Sequence, residues 1–165
     1  MMKSIDNRLI IFTTIIIVLV VGGIIAILMV NFEEKNQLNP KIGLDLLEYD
    51  FGTISIADGP VRYTYKIKNI GEKDLKINGI QTSCMCTTAI LRVGNNISPE
   101  FGMHSNQMLW SQKVVPGEIG YLEVVFDPAF HGPEATGEVV RAIYVSTNAP
   151  KSKKVELKFI ANVVK

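Results

Sequence analysis

The 165-residue chain carries 17 basic and 16 acidic side chains, a formal net charge of +1, with 47% hydrophobic residues. Such a balance makes no broad field to gather nucleic acid, which is set aside as a partner, and the length leaves room for one ordinary domain beside a membrane segment. The 2 cysteines fall in a single Cys-x-Cys, too few for a disulfide framework, so they read as a site or a local bridge.

Residues 1–8 are expected to form a short cytoplasmic N-terminus, and residues 9–30 contain no charge. A helix over this run of about 22 positions rises roughly 33 Å, enough to cross the hydrocarbon core of a bilayer. Ala26-Ile27-Leu28-Met29 offers no small-residue cleavage site, so the segment is expected to stay as a signal-anchor rather than be removed. Lys3 and Arg8 precede it against Asp6, whereas Glu33 and Glu34 follow it before Lys35. That asymmetry predicts a single-pass protein of the cell membrane with a cytoplasmic N-terminus and an extracytoplasmic C-terminal domain. Gly22-Gly23 lacks the GxxxG spacing of a helix-pairing face and reads as ordinary glycine tolerance.

Residues 31–43, ending in Asn39-Pro40 and Lys41, read as a polar linker. From 44 to 165 the pattern has period two. Val61, Tyr63, Tyr65 and Ile67 alternate with Arg62, Thr64, Lys66 and Lys68, and Val155, Leu157, Phe159, Ala161 and Val163 alternate likewise. Further strands are expected near Leu44–Phe51, Leu75–Ile80, Thr82–Ala89, Tyr121–Phe126 and Val139–Ser146, divided by turn signals such as Pro116-Gly117 and His131-Gly132-Pro133. About seven such strands without an amphipathic helix predict an all-β, immunoglobulin-like antiparallel β-sandwich preceded by one transmembrane helix. Residues 91–115 break the rhythm as a long loop, but Phe101, Met103, Met108 and Trp110 are bulky enough that it should fold back onto the sandwich.

Asp50-Phe51-Gly52, Lys68-Asn69-Ile70-Gly71, Ser83-Cys84-Met85-Cys86-Thr87-Thr88, Pro116-Gly117-Glu118 and Phe126-Asp127-Pro128 occur in that order. Together they resemble the uncharacterised bacterial branch of Hydin-like (ASH-type) Ig-fold domains, a domain-of-unknown-function family, over about Asp45 to Val164. The resemblance implies an extracytoplasmic or membrane-anchored Ig-like domain without an established activity, whose eukaryotic relatives are binding modules of cilia and centrosomes. The chain departs from it at Met85, where glycine is commoner between the two cysteines, and in the longer 91–115 segment.

On a strand, Cys84 and Cys86 would project from one face as a pair suited to metal, while a bridge between them would require a kink. His104 and His131, both in predicted loops, are the candidate imidazoles, and Met103, Met108 and Met85 the candidate thioethers. Thiolate, imidazole and thioether suit Cu(I) or Zn²⁺. The expected arrangement is a reduced pair beside His104, with His131 second and Met103 as a further ligand. Against it stand small packed thiols, backbone-bonded turn histidines and methionine plugs. Trp110 should pin the long loop, and Asn96-Ile97-Ser98 matches a glycosylation acceptor that is common by chance. Without G-x-S-x-G, H-E-x-x-H or a phosphate-cradling loop, the chain is read as no enzyme. The leading function is a membrane-anchored binding or scaffold module for an unidentified envelope protein. The alternative is a metal-handling or thiol-redox domain built on Cys84, Cys86 and a histidine.

Overall fold

The computed structural model describes residues 7–37, 39–105 and 109–165, so Lys3, Asp6 and Met108 lie outside the described residues. The chain divides into two compact units, a helix and a β-domain running from Asn39 to Lys165.

The helix, α1 (Asn7–Gln37), includes an apolar run of 23 residues, Ile10–Phe32, long and apolar enough to cross a membrane and exposed throughout. The hydroxyls of Thr13 and Thr14 donate back to the carbonyls of Ile10 and Ile11 at 2.8–3.0 Å, which satisfies them inside an apolar segment. The helix outruns its expected end at Val30 and takes in most of the predicted linker, because no proline or glycine intervenes before Asn39-Pro40.

The β-domain contains β1 (Ile42–Leu44), β2 (Glu48–Ser55), β3 (Val61–Asn69), β4 (Leu75–Thr82), β5 (Thr87–Val93), β6 (Asn96–Ile97), β7 (Gln112–Val114), β8 (Ile119–Phe126), β9 (Gly137–Thr147) and β10 (Lys154–Val164). They form two five-stranded sheets, ordered β1-β3-β8-β5-β6 and β2-β10-β9-β4-β7. Strands of seven residues or more are β2, β3, β4, β5, β8, β9 and β10; the other three are short edge additions. The immunoglobulin-like sandwich is therefore present, with one departure from an all-antiparallel plan: β2 runs parallel to β10. This edge strand carries Glu48 and Asp50 and bends at Gly52 (φ 67°), where Asp50 Oδ1 accepts the Gly52 N–H at 2.7 Å. A charged, kinked edge resists pairing with another chain.

Alternation places Tyr65 and Ile67, Leu91 and Val93, and Leu122 and Val124 from one sheet against Ile77, Ile143, Val145, Leu157 and Phe159 from the other, all buried. The 91–115 segment is more ordered than its sequence suggests. Leu91–Val93 completes β5, β6 and β7 lie within it, and Phe101 is bridged to Ala89 by two backbone hydrogen bonds of 2.8 Å. Phe101 is buried and Trp110 meets its ring edge-on at 4.7 Å, so the segment adds to the core. Ser98 accepts from the Leu91 N–H at 2.9 Å in a buried position and shapes this hairpin.

Candidate functional site

The predicted strand Thr82–Ala89 does not exist as one strand. β4 ends at Thr82, residues 83–86 turn, and β5 begins at Thr87 on the other sheet. The corner is held by its own polar groups. The buried Thr82 hydroxyl bonds the carbonyls of Cys84 and Thr87, and the Thr87 N–H returns to the Cys84 carbonyl. Ser83 exchanges two 2.9 Å hydrogen bonds with Ala142 of β9. The turn brings the Cα atoms of Cys84 and Cys86 to 5.3 Å, within the usual range for a disulfide, and the two sulfurs are joined. The expectation of two parallel thiols on a flat strand is corrected accordingly; the kink that a bridge would need is the sheet-to-sheet corner itself.

A second sheet-to-sheet connection, from β8 to β9, arrives at the same end of the sandwich, since Thr87 pairs with Phe126. The Asp127 N–H donates to the Cys86 carbonyl at 2.9 Å, and a turn ending at Gly132 (φ 89°) carries exposed His131 over the sulfurs. His131 Nε2 lies 3.2 Å from Cys84 Sγ. Among the described residues, Cys84, Cys86 and His131 form a cluster of candidate metal ligands, their ligand atoms all within 4.8 Å of one another.

His104, the first-choice partner in the sequence, does not join this cluster. It lies in a turn after Phe101, and the neighbouring Met103 carbonyl accepts from Gln81 Nε2 at 2.9 Å while the Met103 side chain is exposed. Proximity in sequence to Cys86 was the argument for His104. The Phe101–Ala89 bridge instead directs the start of that segment along β5.

Arg141 is the residue that sequence reasoning missed. Thr82 pairs with Ile143, so Arg141, two residues nearer the start of β9, lies beside the turn on the same strand face as Ile143 and Val145. Its Nε donates toward Cys86 Sγ at 3.3 Å and its Nη1 donates to the Val140 carbonyl at 3.0 Å. The signal was present: in the alternation Val139, Arg141, Ile143, Val145, an arginine occupies an inward register. Each sulfur thus has its own polar neighbours: His131 and the Cys86 N–H at the half-buried Cys84, Arg141 and the Thr87 hydroxyl at the buried Cys86.

Residues 42–99, from β1 through β6 and including the Cys-Met-Cys corner, match a family model described as a protein of unknown function, DUF1573. Among curated proteins none matches the sequence. Among solved structures, the chain is similar to a protein of unknown function from Porphyromonas gingivalis W83, with a TM-score of 0.57 and 18% identity over 77% of this chain and 48% of that one. The chain therefore spans about half the length of that relative. A family 123 glycoside hydrolase from Clostridium perfringens gives a TM-score of 0.51 and 9% identity over 75% of this chain and 26% of that one. The ASH/PapD-like domain of human CEP192 gives 0.46 and 13%, over 77% and 87%. At such identities the first two show a shared fold alone. The family match and the sandwich agree with the resemblance to an uncharacterised Ig-like family.

Proposed function

We propose that the protein is a membrane-anchored, extracytoplasmic Ig-like module that acts by binding another protein of the cell envelope rather than by catalysis. The observation that carries this reading is the separation of roles along the chain. Ile10–Phe32 is apolar and exposed on every side, which suits lipid, whereas the core of the sandwich is drawn entirely from residues of the β-domain. An apolar run of that length serves as an anchor, and its charge flanks favour an N-terminus in the cytoplasm. Protease added to intact cells or spheroplasts should digest the β-domain. Protection of the domain until lysis, or a mature chain beginning near Asn31, overturns the reading.

A second reading, a metal-handling or thiol-redox domain, rests on the cluster of Cys84, Cys86 and His131. These residues have the donor types that Cu(I) or Zn²⁺ takes, with Met103 left to its own turn. The guanidinium 3.3 Å from Cys86 Sγ is a fixed positive charge beside one of the three ligands. It opposes a second cation there and favours thiol chemistry.

A further inference from the structure

We infer that Cys84 and Cys86 form a thiol–disulfide exchange site in which Arg141 is the waiting counterion of the Cys86 thiolate, and that its co-reactant is a dithiol. This rests on the thiol-redox reading of the corner and is independent of anchoring and binding.

The bond links residues only two apart, so it closes a very short loop and constrains the unfolded chain far less than a bridge spanning a domain. Holding the fold is a poor reason for it. Arg141 supplies a better one. Its side chain faces inward and is half-buried, and the ion pairs found among the described residues (Lys113–Asp74, Lys158–Glu156 and Lys165–Glu134) do not include it. Its contacts are a backbone carbonyl and a sulfur that is neutral while the disulfide is intact. A partly desolvated cation without an anion is unfavourable, and reduction would create the missing anion in contact with it. Selective stabilisation of the reduced state is what makes a disulfide oxidising.

The two sulfurs also differ as exchange requires. Cys84 is half-buried with His131 beside it, exposed Met85 follows it in the chain and the exposed Phe130 ring lies 5.1 Å from that of His131, whereas Cys86 is 3% exposed. A thiolate of the co-reactant attacks Cys84 Sγ; the Cys84–Cys86 bond breaks, and its electron pair leaves on Cys86, facing Arg141 Nε. The co-reactant's second thiolate then attacks its own sulfur in the mixed disulfide and releases Cys84 as a thiolate, which His131 can protonate through Nε2. The co-reactant loses two electrons to become a disulfide, and this chain gains two as a dithiol.

The test uses the full chain in detergent micelles, equilibrated with mixtures of reduced and oxidised dithiothreitol and then alkylated for mass analysis. Reversible gain of two alkyl groups is expected. Arg141→Gln should raise the ratio of reduced to oxidised dithiothreitol needed for half-reduction by about tenfold and raise the pH at which thiolate absorbance appears, with Arg141→Lys restoring part of both. A second arm replaces dithiothreitol with a reduced two-cysteine peptide. If Phe130→Ser slows only the peptide, the co-reactant is polypeptide; if both reagents react as before, it is a small dithiol. The proposal is overturned by cysteines that alkylate fully without reductant. It is overturned equally by a reduced chain that retains one equivalent of zinc or copper, or by an Arg141→Gln change that lowers thermal stability and leaves the redox equilibrium where it was.

Discussion

Two corners at opposite ends of β8 use polar side chains in opposite ways. At its start, Asn69 is fully buried and every polar atom of its side chain is matched: Nδ2 donates to the carbonyls of Lys73 and Val114 at 2.8 and 2.9 Å, and Oδ1 accepts from the Gly71 N–H at 3.0 Å. The backbone of Asn69 also exchanges hydrogen bonds with the Pro116-Gly117-Glu118 turn. Gly71 has no room for a Cβ, which would fall 2.3 Å from the Asn39 carbonyl oxygen. At the other end the polar groups converge on two sulfurs, weak acceptors while joined, and leave Arg141 outside the ion pairs found among the described residues. The first corner satisfies everything it buries, as a structural clasp should. The second leaves charge unanswered, as a site awaiting a change of state should.

The largest effect is expected at the clasp. Asn69→Leu strands the buried Val114 carbonyl, worth about 1–3 kcal/mol, and frees the part-buried Lys73 carbonyl and Gly71 N–H, while Gly71→Ala drives a methyl into backbone; either should destabilise by about 2 kcal/mol or more, measured by denaturant unfolding. Loss below about 1 kcal/mol would erase the contrast between the corners.

Next comes the core tyrosine that links the sheets. Tyr65 donates its hydroxyl to the Lys158 carbonyl, and burial first, then the neighbouring Tyr63, Glu48, Asp45 and Tyr49, holds its pKa well above the ordinary value. A phenol whose folded pKa is raised contributes stability that is fully present below its unfolded pKa, near 10, and is lost as pH rises through the raised value. Stability should therefore fall above about pH 10, and Tyr65→Phe should flatten that fall while costing about 1–2 kcal/mol at neutral pH. An unchanged alkaline profile in Tyr65→Phe would refute this.

Breaking the sulfur bridge should matter less to folding. A loop closed between residues two apart is worth at most about 1.5 kcal/mol, against about 3 kcal/mol for a 15-residue loop, so the double change of Cys84 and Cys86 to serine should lower the unfolding midpoint only slightly. The smallest effect is reserved for exposed His131: His131→Ala should alter stability by less than about 0.5 kcal/mol while slowing thiol exchange, read by alkylation rate. A large stability loss there would make the second corner another clasp.

The chain sequence by itself determined the apolar span and the sandwich. A long uncharged run and period-two alternation are local consequences of what each residue's neighbours bury, and Val61–Lys68 and Val155–Val163 carry that alternation along most of β3 and β10. Four of the five ordered motifs proved to be turn chemistry for the same reason: glycine at positive φ, or asparagine and aspartate bonding their own backbone, depend on residues one to three positions away. The fifth motif, the cysteine pair, was visible as residues but not as a site. Whether 82–89 runs straight or turns from one sheet to the other depends on Ser83 meeting Ala142 and Asp127 meeting Cys86. His131 over Cys84, in place of His104, depends on two sheet-to-sheet connections sharing one end of the sandwich. Arg141 reaches Cys86 through the pairing of β4 with β9, across 55 residues of chain, and only the packed sheets could decide a contact between positions so far apart in the chain.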